Sequence, residues 1–448
     1  MLEYFKENKN NMRIIFTLSI PVIIENILQT LLGTVDTYFA GTINDNAIAA
    51  ISVTNLIINI FITFFTAISI GTSALISRNF GKKDLDKVNL VMNQSIILGL
   101  ILGFVTGIIN LIFNKQILII SGATKEVLDY AIPYYIVVVV PSVFLCLSLI
   151  LSSCLRSVKD TKTPMIATTI ANILNIILNF IFIKLNLGIV GLGLATTISR
   201  IINMLILLIK LKKGSSGVKL SIQSFEIDKK IISSIIKIGG PAGMEKLIMR
   251  IGQLVYSSMI ISIGVSTYVA HNIAGTIESY TYVPAMGFGV ATATLVGISL
   301  GENNIKKAKN LVFLSDIIAT ICMLIIGLIF FIFAPNLASI FTDTKKIQDM
   351  VVTVLRLIAL FQPFAALTQI FTGALQGAGD TKFPMYATLI GIWVCRVGLG
   401  YLLGAKLGLG LLGVWIGYAL DLTIRGILLL KRFFKGQLAK YKSLIIIK

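Results

Sequence analysis

The sequence predicts an all-α integral membrane protein, and three observations carry that prediction. Of 448 residues, 56% are hydrophobic and only 13% charged, whereas a soluble domain is nearer half apolar and a quarter charged. Apolar stretches of about 20 residues or more, the length a spanning helix needs, recur along the whole chain. Finally, the chain repeats itself at a constant offset of 220 residues, which pairs Pro21 with Pro241, Glu25 with Glu245, Gly81 with Gly301, Asp160 with Asp380 and Pro164 with Pro384. The expectation is twelve transmembrane helices in two six-helix lobes related by a pseudo-twofold along the membrane normal, as in parallel-repeat transporters. A membrane β-barrel would instead give short alternating segments.

The elements follow in order. A polar start precedes span 1, about 14–40, whose apolar run is too long for the h-region of a cleavable signal peptide. A tight turn, GTINDN, leads to span 2 (about 47–77), and the basic loop RNFGKKDLDK to span 3 (about 90–113). The segment NKQILIISGATKEVLDY is amphipathic and is expected to form an interfacial helix on the outer side. Span 4 covers about 130–155, span 5 about 164–183 and span 6 about 188–210. The N-lobe is thus assigned to 1–213, a polar linker to 214–230 and the C-lobe to 231–448. Six further spans are expected at about 232–262, 268–299, 310–334, 350–377, 384–405 and 410–430, followed by a basic, amphipathic tail suited to a membrane surface.

The net charge of +19 is not the mark of a nucleic-acid partner, because of where it lies. With the N-terminus inside, 27 Lys and Arg fall on inner segments and six on outer turns (Lys115, Lys125, Lys184, Lys345, Lys346 and Lys406). The positive-inside rule then puts both termini in the cytoplasm of a multi-pass cell-membrane protein. Cys146, Cys154, Cys322 and Cys395 lie in apolar stretches without CxxC spacing, so packing is expected rather than disulfides or zinc. No GxxxxGK[ST] loop is present for ATP.

The Pro-x-x-x-Glu pattern, VDTYFAG in span 1 and the paired LRSVKDTKTP and LQGAGDTKFP loops resemble the multidrug and toxic compound extrusion (MATE) family over the whole chain. The resemblance implies a secondary-active exporter that antiports organic cations or amphiphilic toxic compounds against inward protons or sodium by rocking of two lobes. It would act as a monomer, with no cofactor beyond the coupling ion, and membrane lipids around it.

Acids inside hydrocarbon are expensive and therefore functional candidates. Asp36 resembles the family's span 1 carboxylate. Asn175 and Asn179 lie on one face of span 5 with Asn172, and the resemblance assigns Asn175, Asn179 and the span 6 hydroxyl Thr196 to the same cation site. Asn179 stands where family members often have a second acid, which favours protons; a sodium ion would use Asp36 and Asn175. Glu245, Glu278 and Glu25 are secondary candidates, Glu25 either as gate or as structural group. Met249 and Ala365 occupy positions where one branch of the family carries coupling acids. Tyr38, Gln253, Tyr280, Tyr282 and Met286 are candidate cavity residues, since aromatic faces suit organic cations. The interior cations Arg200, Lys246, Arg250, Arg356, Arg396 and Arg425 are expected to pair with Glu245, Glu278 and Asp421, with Asp421–Arg425 as an i, i+4 pair. His271 is expected in a hydrogen-bonded packing role.

Two other readings stay open. A lipid or lipid-linked oligosaccharide flippase of the same superfamily would leave the interior arginines free for phosphates. A lipid-modifying membrane enzyme would need clustered acids, histidines or cysteines at a membrane face.

Overall fold

In the computed structural model, residues 7–214, 218–220 and 226–435 are described. The tail beyond 435, and the linker residues 215–217 and 221–225, lie outside the described residues.

Every extended apolar run folds as a helix: α1 Lys9–Gly41, α2 Asp45–Gly81, α3 Leu85–Ile112, α4 Asn114–Ile120, α5 Lys125–Val139, α6 Ser142–Ser157, α7 Lys162–Lys184, α8 Gly188–Lys213, α9 Lys229–Ile263, α10 Val265–Gly301, α11 Ile305–Ser339 and α12 Lys345–Ala378. The chain continues as α13 Lys382–Ile390, which runs on as π-helical turns over Gly391–Leu399 and Leu402–Lys406, and ends in α14 Gly410–Phe434. Eleven of these stretches are long and apolar enough to cross a membrane, with α13 and its π-helical continuation taken together. A twelfth span is broken: α5 and α6 are bent by 44° to one another. Pro141, at the start of α6, accounts for the break, because proline lacks the N–H of the helix ladder and clashes with the carbonyl four residues back.

The interfacial segment is not the one helix its amphipathic pattern suggested. It forms the short α4, then breaks at Ser121 to Ala123, where Gly122 takes a φ of +96°, and restarts as α5.

The 220-residue repeat is visible in the backbone. Lys83 and Asn303 both take left-handed φ values, +61° and +59°. The next residues, Asp84 and Asn304, cap α3 and α11 by accepting from the N–H of Lys87 at 3.1 Å and of Lys307 at 2.9 Å. Lys159 and Gly379 are likewise both left-handed, at +67° and +85°. The following Asp160 and Asp380 donate their N–H groups to the carbonyls of Leu155 and Leu375. In the first DT-x-x-P loop Asp160 marks the helix start, accepting from both the N–H and the hydroxyl of Thr163; in the second Asp380 accepts from Arg432 Nε of α14 at 2.9 Å.

The described chain falls into two compact units, one of 24–240, the other of 7–23 together with 241–435. They differ from the division in chain order, because the boundaries fall inside α1 and α9, two to three residues past Pro21 and at Pro241. In the first unit α2 packs on α3, α5 and α6, and α7 lies along α8. Hydroxyls tie these helices, as Ser153 to the Ser69 carbonyl at 2.8 Å and Thr72 to Ser95 at 2.8 Å. In the second, α12 packs on α10, α11 and α14. Gly373 and Gly377 of α12 lie against the backbone of α10: a Cβ at Gly377 would sit 2.1 Å from the Ala293 carbonyl oxygen. Small residues four apart allow such close approach where lipid gives helices little other reason to associate.

Candidate functional site

Four polar side chains from three helices meet inside the 24–240 unit. Asp36 comes from α1, Asn175 and Asn179 from α7, and Thr196 from α8. Their placement follows from periodicity, since Asn175 and Asn179 are one turn apart on α7 and Asn172, one turn earlier, donates to the Leu28 carbonyl of α1 at 2.6 Å. That bond and the α7–α8 packing aim the asparagine face at Asp36. The four are 5%, 0%, 0% and 2% exposed, respectively.

The contacts close into a ring. Asn179 Nδ2 donates to Asp36 Oδ1 at 3.0 Å and to Asn175 Oδ1 at 3.0 Å. Asn175 Nδ2 donates to Thr196 Oγ1 at 3.3 Å. Thr196 Oγ1 lies 3.1 Å from both Asp36 Oδ2 and the Leu192 carbonyl, so its single hydrogen serves one or the other. Asn179 Oδ1 is buried without a partner. Arg200, bonded through Nη1 to the Val138 carbonyl at 3.1 Å, acts on Asp36 through its charge without touching it.

Chemically, this ring suits a carboxylate that gains and loses a proton. Amides and hydroxyls both donate and accept, so the same partners serve the ionised and the neutral acid once an amide turns over. A sodium ion would use the same carboxylate together with an amide oxygen, which the same turnover of the Asn179 amide would supply. Among the described residues no group of three or more His, Cys, Asp or Glu gathers.

On the other side of α1, Thr30, Thr34, Thr37 and Tyr38 line an open cavity of about 800 Å³ with Gly33, Gly41, Thr42, Ile48 and Asn55. Tyr38 is 72% exposed there. Tyr280 and Met286 are exposed on α10, and Gln253, exposed on α9, accepts from Arg250 at 3.3 Å. Tyr282 is half-buried, with its hydroxyl 3.1 Å from that of Tyr418.

The secondary acids are each engaged. Glu25 faces Arg156, whose Nη1 lies 3.1 and 3.0 Å from its two oxygens. Glu278 accepts from Tyr418 at 2.7 Å. Glu245 accepts from Gln376 Nε2 at 3.3 Å and Thr388 Oγ1 at 3.2 Å. The Asp421–Arg425 pair forms at 3.1 Å, and Arg396 joins it through Nε at 3.0 Å and Nη2 at 2.6 Å. The expectation that interior cations pair with acids therefore holds for Arg396 and Arg425. It fails for three others: Arg200 bonds a backbone carbonyl, Arg356 bonds the Phe331 carbonyl at 3.3 Å and lies over that ring, and Arg250 bonds Gln253. His271 packs edge-on against Tyr256 and Trp415, and its Nδ1 is buried without a hydrogen-bond partner. Cys146, Cys154 and Cys395 are buried, Cys322 is half-buried, and all four are free.

Sequence reasoning missed Arg156 as the partner of Glu25, because Arg156 reads as part of a basic turn. It also missed Tyr418, Gln376 and Thr388. Gln376 had a signal, since the repeat maps it onto Arg156.

A duplicated twelve-span membrane protein with carboxylates held in polar networks inside its helices is a membrane transporter. The MatE family model matches residues 21–181 and 241–402, once in each half, and the chain belongs to that family. It is 30% identical over 436 residues to a protein of Thermotoga maritima named probable multidrug resistance protein NorM, covering 94% of this chain and 92% of that one. It is 27% identical over 384 residues to a Staphylococcus aureus protein named multidrug export protein MepA, with 85% and 84% covered. A crystal structure described as MATE in the bent conformation superposes with a TM-score of 0.91 at 26% identity, covering 96% of each chain. Membership makes the chain a multi-pass membrane transporter and sets aside the membrane-enzyme reading.

Proposed function

We propose that this transporter exports organic cations or amphiphilic compounds in exchange for protons, with Asp36 as the carboxylate that carries the exchange. The observation that carries the reading is the ring around Asp36, buried and built from groups able to serve both its protonation states. A proton entering from outside neutralises Asp36, and its release to the inside restores the charge that an organic cation can use. The names of the similar proteins support export of drugs as cargo. The cavity beside Thr34, Thr37 and Tyr38, on the helix that carries Asp36, supports a binding surface for a small molecule. Its volume of about 800 Å³ lies within the range of small-molecule sites, about 300–1,000 Å³. The remaining cavity candidates, Gln253, Tyr280, Tyr282 and Met286, belong to this reading as contacts for the apolar part of the cargo. Exchange of one proton for one monovalent cation moves no net charge, so the pH difference drives it, at about 1.4 kcal/mol and tenfold accumulation per pH unit; a second proton per cycle adds the work of the potential, about 2.3 kcal/mol per 100 mV.

The pairing of interior arginines favours export over flipping of phosphate-linked lipids. Arg396 and Arg425 are bound to Asp421 and Arg156 to Glu25, which leaves those guanidinium groups little freedom to take a phosphate. Both termini are taken to be cytoplasmic from the Lys and Arg distribution, and terminal reporter fusions check that orientation.

The deciding experiment is ethidium efflux from proteoliposomes under separate proton and sodium gradients. Asp36→Asn is expected to fold normally and to lose proton-driven efflux. Proton-driven efflux at the wild-type rate in that variant overturns the role of Asp36, and efflux driven by sodium alone overturns the choice of ion.

A further inference from the structure

The two halves carry the same buried glutamate, but they neutralise it differently. Glu25 and Glu245 are 220 residues apart, and so are Arg156 and Gln376, and Thr168 and Thr388. In the first half Arg156 Nη1 bridges both oxygens of Glu25, which is 1% exposed, and Thr168 is turned to another partner, accepting from Asn203 at 3.3 Å. In the second half the arginine position is Gln376. Glu245, 6% exposed, is held by that amide at 3.3 Å and by the Thr388 hydroxyl at 3.2 Å, with no cation bonded to it.

The difference is chemical as well as electrostatic. A guanidinium has donors and no acceptor, so a glutamate bridged by it must remain a carboxylate. An amide and a hydroxyl each offer both functions. If Glu245 binds a proton, its new O–H finds an acceptor in Thr388 Oγ1, or in Gln376 Oε1 once that amide turns over, and no buried group is orphaned. The charged groups nearest in effect are Lys246, adjacent on α9, and Arg425 on α14, which act on Glu245 through their charge. Arg425 Nη2 is bonded to Asp421. Gln376 of α12 and Thr388 of α13, the partners from the other two helices, do not titrate.

We infer that Glu245 is a second proton-exchanging site, and that the Arg156-to-Gln376 difference between the repeats sets Glu25 as a fixed structural ion pair and Glu245 as the titrating member. The inference rests on proton-driven export as proposed above and adds a site in the second half that is separate from the Asp36 ring. A proton from the outside binds one Glu245 carboxylate oxygen and leaves from the same oxygen to the inside, with no other bond changed.

The test swaps the halves' chemistry in the full chain. Glu245→Gln removes the acid, Gln376→Arg gives Glu245 the arginine that Glu25 has, and Arg156→Gln gives Glu25 the amide. The carboxylic C=O infrared band of the purified protein is followed as a function of pH, which requires no substrate. Ethidium efflux under a proton gradient is measured in proteoliposomes, with thermal melting to show that each variant folds. A titrating band present in the wild type is expected to vanish in both Glu245→Gln and Gln376→Arg, and a new one to arise in Arg156→Gln. Efflux is expected to fall about tenfold or more in the first two, the change that ~1.4 kcal/mol produces. A band unchanged in both, or efflux at the wild-type rate in both, overturns the proposal. Asp36→Asn on the same vesicles separates the two sites. If Asp36→Asn is the only one of these variants that loses efflux, Glu245 has no coupling role. If it is active while the Glu245 and Gln376 variants are not, the role of Asp36 is overturned and that of Glu245 stands.

Discussion

Thr196 closes the Asp36 ring, and its hydroxyl is the part that matters. It accepts from Asn175 and reaches Asp36 Oδ2, so Thr196→Val keeps the shape and strands two buried polar groups. An unsatisfied buried partner costs about 1–3 kcal/mol, and a clear drop in the thermal midpoint of the detergent-solubilised protein is expected, with Thr196→Ser restoring it. A valine variant that melts like the wild type would show that the ring does not depend on this hydroxyl. At this scale the sequence was informative about residue types. An aspartate within an apolar span and two asparagines one turn apart on another are rare enough to be noticed, and the family resemblance joined them to Thr196. Partnerships across long separations were not legible. Arg156 and Glu25 are 131 residues apart, and an arginine in a Lys-rich turn already has an explanation in the positive-inside pattern, which conceals its inward reach.

At the scale of elements, helix number and position were readable because each span must bury about 20 apolar residues, whereas local departures from regular geometry were not. Hydrophobicity continues unbroken through Val139 and Pro141, so the 44° break shows only as a proline, and prolines sit inside several other helices without such a break. The π-helical turns over Gly391–Leu399 leave no periodic trace either, since GIWVCRVGL is apolar at nearly every position and has no narrow stripe whose displacement could be read. Gly391 shows what that segment accommodates: a Cβ there would sit 2.1 Å from Asp421 Oδ1, the acid that holds Arg396 and Arg425. The repeated loops offer a cleaner test. Lys159 adopts a left-handed φ of +67° where its repeat counterpart is Gly379, and a side chain in that region costs roughly 1–2 kcal/mol. Lys159→Gly is expected to raise stability by about 0.5–1 kcal/mol, read as a higher melting temperature, and Gly379→Lys to lower it. At Gly377, where the α12 backbone meets the Ala293 carbonyl, even alanine must push α12 from α10. A loss of about 1–3 kcal/mol, typical of overpacking, is expected in the same melting assay.

For the whole molecule, the repeat gave the two halves, but it could not show how the contacts divide. The polar linker suggested that each half, 1–213 and 231–448, owns its helices. The compact units instead exchange their first helical segments: 7–23 belongs with 241–435, and the start of α9 belongs with 24–240. The packing inside each unit makes this concrete. A Cβ at Gly239 would lie 2.2 Å from the Ala67 carbonyl oxygen of α2, and one at Gly287 of α10 would lie 2.3 Å from Ile23 Cγ1. Phe16 stacks edge-on with Phe288 at 6.1 Å, and Asn8 accepts from Asn310 at 2.7 Å. A chain cut in the linker therefore leaves each half without a segment that its own compact unit packs against backbone to backbone. Residues 1–220 and 221–448 expressed separately are expected to be unstable and degraded, and co-expression is expected to recover both at the membrane as a co-purifying, transport-competent pair. Independent domains joined by a flexible linker would behave otherwise, each half accumulating alone. Stable, monodisperse single halves would mean that the exchanged segments contribute little, and that the polar linker is the energetic boundary after all.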